Sequence, residues 1–239
     1  MDYTKFRDVT YTNEHARYDG GLRSYMIAVY NYMALALALT GVVAFGASLS
    51  PSLMYAIFGT PLGLVVALAP LGMIIYMNSR MQTMSVSGAQ TSFWVFSALM
   101  GLSLSSIFMV YTGASIAKVF FISASAFGAL SLYGYSTSRD LSAWGSFLIM
   151  GLVGLIVASL ANIFFKSPAV EFAVSLMGVL IFAGLTAWDT QKIKDRYFQV
   201  GGSSEIATKI AVFGALELYM DFINLFLSLL RLFGQRNGE

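Results

Sequence analysis

The segment IAVFGALELYMDFINLFLSLLRLF, residues 210–233, decides the fold. As a helix it rises about 36 Å, enough to cross a hydrocarbon core of roughly 30 Å with some tilt. Gly214, Glu217, Asp221, Asn224, Ser228 and Arg231 recur at alternating spacings of three and four, so they share one helical face. Leu, Phe, Ile and Met fill the other faces. A carboxylate at bilayer depth costs at least about 2.5 kcal/mol on insertion scales, so this stripe must look into protein or water. The last helix is therefore expected at the centre, with the others packed round it.

The 239 residues are 57% hydrophobic and only 11% charged, with a mean hydropathy of +0.72, a balance outside the range of soluble domains. Seven apolar runs are long enough to span: 26–48, 61–80, 93–112, 115–136, 143–165, 170–191 and 209–233. The expectation is an all-α membrane protein, with a cytoplasmic N-terminal tail over 1–22 and one seven-helix domain over 23–239. The tail precedes a long span and lacks a small-residue cleavage pattern, so no removable signal peptide is expected.

Cysteine is absent, which excludes disulfides and thiolate chemistry. The lone His15 sits in the polar tail with no partner spaced for zinc. No enzymatic activity and no cofactor are expected, and the net charge of +2 suggests no nucleic-acid partner. The surroundings are the lipid bilayer.

Basic residues set the orientation. With the N-terminus inside, Lys5, Arg7, Arg17, Arg23, Arg80, Arg139, Lys192, Lys194, Arg196 and Lys209 are inner, and Lys118, Lys166, Arg231 and Arg236 outer. That asymmetry predicts a cytoplasmic N-terminus and an extracytoplasmic C-terminus in the cell (inner) membrane. Trp94, Trp144 and Trp188 then all fall at inner helix ends, as an interfacial belt does.

Asp19-Gly20-Gly21 reads as the turn that ends the tail, and Leu53 to Phe58 as a short apolar piece along the interface. Pro70 inside the second span bends it, either as a packing kink or as a hinge. Arg80 ends that span and either snorkels to the headgroups or turns inward. The serines of the third and fourth spans read as interhelical hydrogen bonders. In the sixth span the lack of Gly and Pro after Asp189 predicts a helix that continues through the basic run Lys192 to Arg196.

Three acids lie inside apolar runs: Asp189, Glu217 and Asp221. Asp189 and Asp221 fall at similar depth on consecutive antiparallel helices, each more than about 10 Å in from the inner end. If they meet, repulsion and desolvation oppose double ionisation, and the pair is expected to keep one proton toward neutral pH. Proton occupancy is then a switch; the bland alternative is a structural interhelical hydrogen bond. Glu217, one turn before Asp221, and Asn224 add oxygens to the ion pathway. Such oxygen ligands suit calcium in passage, held transiently by Asp189 and Asp221, and an inward Arg80 would plug the route as a gate lock.

FAGLTAWDTQKIK at 182–194 and LYMDFINLFLSLLRLFG at 218–234 resemble two signature segments of the Bax inhibitor-1 family, bacterial branch. RDLSAWGSFLIMGL at 139–152 is similar to its fifth-helix signature. The resemblance spans all seven helices. It implies two three-helix layers around a central seventh helix, and a pH-sensitive calcium leak channel. It also implies that Asp189 and Asp221 form the family's aspartate pair, serving as pH sensor and gate, and that Arg80 matches the arginine that engages it. Glu217 stands where relatives often carry another residue.

An intramembrane aspartyl protease also uses two aspartates, but its Tyr-Asp and Gly-x-Gly-Asp motifs are missing: Trp188 precedes Asp189, and Tyr219-Met220 precedes Asp221. A retinal protein needs a lysine well inside its last span, and Lys209 is too near the end. The principal alternative is a non-conducting regulator of a membrane-bound ATP-dependent protease, a link that the resemblance implies for some bacterial members. The segment from Met1 to Arg23 would then make the contact. Secondary transport is a third reading, and it predicts saturable flux coupled to a proton gradient.

Overall fold

A computed structural model of the chain describes the backbone of residues 3–199 and 204–238, and the side chains of 20–199 and 205–238. His15 lies outside the described side chains, as does most of the expected Met1–Arg23 contact segment. The helices are α1 (Tyr3–Ser48), α2 (Pro51–Phe58), α3 (Leu62–Arg80), α4 (Val86–Leu104), α5 (Ile107–Val110), α6 (Gly113–Ser136), α7 (Ser142–Phe165), α8 (Pro168–Gln199) and α9 (Ser204–Phe233). Seven stretches are long and apolar enough to span a membrane: Gly20–Ser48, Leu62–Arg80, Val86–Val110, Gly113–Ser136, Ser142–Phe165, Pro168–Gln199 and Glu205–Phe233.

Short polar residues set several helix starts. Ser50 accepts from the Leu53 N–H, Ser85 from Gly88 and Thr112 from Ser115, each meeting a donor that the first helical turn leaves free. The helix over Pro51–Phe58 is where the short apolar piece was expected. At the end of α7, Lys166 takes the left-handed conformation (φ 50°), Ser167 N–H donates to Asn162 Oδ1 at 2.9 Å, and Pro168 opens α8.

One expectation is corrected. Asp19-Gly20-Gly21 is no turn, because α1 runs unbroken from Tyr3 to Ser48. Gly21 serves a close approach instead: a Cβ there would collide with the Tyr197 hydroxyl of α8. The helix of the sixth span does continue through its basic run, ending at Gln199.

The spans form two layers. In one, α4 packs against both α1 and α3; in the other, α8 packs against both α6 and α7. Between them runs α9, in contact with α1, α4, α6 and α8. Its apolar window is 78% buried, whereas that of α7 is 0% buried. The polar stripe of residues 210–233 thus belongs to the central helix.

Lipid tails are as apolar as leucine, so the layers hold through close packing and hydrogen bonds. On one side of α9, Tyr219 meets Phe96 edge-on at 5.3 Å between centroids, and its hydroxyl lies 2.7 Å from Thr40 Oγ1, which itself donates to the Ser97 carbonyl. On the other side, Phe222 meets Phe120 and Phe127 at 5.3 and 5.6 Å. Between α6 and α8, Gly134 lies so close that an added Cβ would strike the Ala187 carbonyl. Beyond α9 the C-terminal residues stitch onto the α5–α6 turn: Arg236 pairs with Tyr111, Thr112 N–H donates to Gln235 O at 3.0 Å, and Gln235 N–H donates to Ser115 Oγ at 2.9 Å.

Candidate functional site

Where α3 and α7 face one another without extensive contact, a cavity of about 710 Å³ opens onto α8 and α9. Helical period carries Glu217, Asp221, Asn224 and Arg231 of the α9 stripe along its wall. Asp189 and Lys192 of α8 face it from the side, and Asn78 of α3 from across. Gly214 and Ser228, the other members of the stripe, are taken up in packing against Ile193 and Gly178 of α8.

The structure brings Asp189 and Asp221 together. Both are buried, at 8% and 5% exposed, and their carboxyl groups lie within hydrogen-bonding reach of each other. Asp221 Oδ2 is shielded from solvent without a donor.

The cation beside them is Lys192. Its Nζ stands 2.9 Å from Asp189 Oδ1, 3.3 Å from Glu217 Oε2 and 4.7 Å from the centre of the Trp188 ring. The Glu217 contact is ionic without hydrogen-bond geometry, and Glu217 takes its hydrogen bond from Arg196 Nη1, at 2.8 Å. Three acids and two bases thus interlock at the Lys192 end of the cavity. Trp188 is itself fixed, since a Cβ on Gly145 of α7 would overlap its ring.

Arg80, expected as the lock, is not in this cluster. It is exposed at the end of α3, pairs with no carboxylate among the described residues, and Asn78 rather than Arg80 reaches the cavity from that helix. Lys192 and Arg196 were read only as part of an interfacial basic run. The signal that marks them was present: positions 189, 192 and 196 are spaced i, i+3 and i+7 and share a helical face.

Asn224 lines the cavity while its Nδ2 donates to the Met220 carbonyl at 2.8 Å. Further along, Arg231 borders a smaller pocket with Glu171 and Asn162, so polar groups continue toward the opposite end of the bundle. Among the described residues no three His, Cys, Asp or Glu side chains gather as a metal site.

The fold and the site define a multi-pass membrane protein of seven spans, with a buried carboxyl pair beside a cavity at its central helix. The family model described as inhibitor of apoptosis-promoting Bax1 matches residues 22–238, and the chain belongs to that family, the Bax inhibitor family. It is 50% identical over 236 residues to an uncharacterized protein of Rickettsia prowazekii, covering 99% of each chain. It is 46% identical over 218 residues to the inner membrane protein YbhL of Escherichia coli K12, covering 90% of this chain and 93% of that one. An uncharacterized membrane protein of Streptococcus pyogenes serotype M1 is 33% identical over 231 residues, 94% of this chain and 100% of its own. None of the three carries an enzyme's name.

Proposed function

We propose that the chain is a pH-sensitive calcium leak channel. The observation that carries this reading is the Asp189–Asp221 pair, one carboxyl from each of the last two spans, meeting beside a cavity that Lys192 also lines. In the closed arrangement Lys192 neutralises Asp189 and Glu217, occupying the place where a calcium ion would be drawn. Gain or loss of the shared proton changes the charge that Lys192 and Arg196 balance, and so changes their hold. Calcium is the permeant ion, passing Asp189, Asp221, Glu217 and Asn224 without a resident site. Arg80, at the end of α3, is available to swing toward the mouth in another state. The basic-residue asymmetry, and the name of the Escherichia coli relative, support an inner-membrane location with the Lys192 end toward the cytoplasm.

The test is calcium flux into proteoliposomes holding the purified chain, measured at several pH values. Flux that varies with pH supports the reading, and absence of flux at every pH removes it.

The second reading, a non-conducting regulator of a membrane-bound ATP-dependent protease, draws on one feature: the α1 backbone stays helical from Tyr3 into the span and so projects a helix beyond the bilayer segment. Removing residues 1–19 would abolish protease regulation under that reading while leaving calcium flux unaffected.

A further inference from the structure

On the side of the bundle away from the carboxyl pair, α1 and α6 also fail to close on each other, leaving a cleft of about 960 Å³. Its walls are almost wholly apolar: Met33, Leu37 and Ala38 of α1, Ala124 and Phe127 of α6, with Phe222 of α9 as the floor. One end is different. Arg23 lies at the mouth, exposed and with no carboxylate partner among the described residues. On the α6 side, Lys194 of α8 donates to the backbone carbonyl of Tyr135, a residue of the cleft wall, and likewise has no carboxylate partner among the described residues.

We propose that this cleft binds an anionic phospholipid from the leaflet at the Arg23 end, with its phosphate between Arg23 and Lys194 and an acyl chain laid between α1 and α6 onto Phe222. Charge and depth both point there. A guanidinium and an ammonium without counter-charges among the described residues, set against an apolar slot, complement a phosphate carried on hydrocarbon, and basic pockets between spans on the cytoplasmic side suit such headgroups. From Arg23 to Ala38 the slot follows α1 for about 22 Å, more than the roughly 15 Å of one leaflet of the hydrocarbon core, so it takes a full tail. A second copy of the chain fits less well, since its own spans would bring no phosphate to the two cations. The proposal does not depend on calcium passage.

Native mass spectrometry of the full chain, exchanged into detergent with equal phosphatidylglycerol and phosphatidylcholine of matched tails, reads the bound lipid directly. Phosphatidylglycerol should be retained roughly tenfold over phosphatidylcholine, the scale of one charge-assisted hydrogen bond. Arg23→Gln should reduce that ratio toward one, and Lys194→Gln should lower it further. Gly128→Leu should expel both lipids, because Gly128 lines the cleft and a Cβ there meets nothing within 4 Å, so the added side chain fills space without disturbing the helices. Ala124→Leu is the second filling variant if Gly128→Leu does not fold. Equal retention of the two lipids, a ratio unmoved by Arg23→Gln, lipid still held by a folded filled variant, or a dimer mass in place of lipid would each overturn the assignment.

Discussion

Lys192 Nζ stands 2.9 Å from Asp189 Oδ1, one turn back on the same helix, and this bond ties the buried carboxyl pair to the cation that covers it. The tie is local to α8, while its second arm reaches Glu217 on α9 at 3.3 Å. A change in the second arm alters how α8 and α9 hold each other beside the cavity.

Lys192→Gln removes the covering cation and leaves Asp189 and Glu217 facing one another. Its side chain is 33% exposed, so the loss of stability should be about 1–2 kcal/mol, between the values for surface and buried pairs. Basal calcium flux should rise several-fold. Arg80→Gln should leave basal flux unchanged, and the reverse pattern in proteoliposomes would return the lock to Arg80.

Asp189→Asn and Asp221→Asn each remove one titrating partner of the pair. Calcium flux measured at several pH values should lose most of its pH dependence in both variants. Wild-type profiles in both would end the proton-sensor reading.

Tyr219→Phe deletes one hydroxyl from the Tyr219–Thr40–Ser97 chain, and Thr40 keeps its acceptor on Ser97. The cost should be about 1 kcal/mol. Thr40→Val deprives both neighbours and should cost about 2 kcal/mol. Thermal midpoints in one detergent should rank wild type, then Tyr219→Phe, then Thr40→Val.

Gly134→Ala drives a methyl into the Ala187 carbonyl and should cost about 1–3 kcal/mol as α6 and α8 move apart. Gly128→Ala, on the same helix but facing the open cleft, should change stability by less than about 0.5 kcal/mol. Equal thermal midpoints for the two variants would deny the close approach at Gly134.

Asp140 precedes α7, and hydrogen bonds from the Ser142 hydroxyl and backbone N–H hold its carboxyl below the usual carboxylate range. A depressed value means the contact is fully present above the unfolded value and is lost as pH falls through the folded one. Protection of the first amides of α7, relative to Asp140→Ala, should therefore hold steady down to about pH 4 and vanish below it.

The spans were legible because each is an apolar run long enough to cross, and α9 announced its place through acids that lipid would not accept. Helix ends were less legible. Polar residues carry α4 back to Val86, where the Ser85 cap extends the helix past its apolar part. Gly20-Gly21 misled for a related reason, since local propensity could not reveal that Tyr197 would press against Gly21. The carboxyl pair could be read from depth and sequence order alone. Its neighbouring cation was marked only by spacing, positions 189, 192 and 196 sharing a helical face, while a lysine near a span end can equally snorkel outward.

The placement of α9 also bears on how the molecule is made. The helix that both layers need follows the other six spans in the chain, so those spans enter the bilayer with the slot for it unfilled. A message broken before the codon for Ile210 would yield six inserted helices with no axis to gather on, a product for quality control to clear.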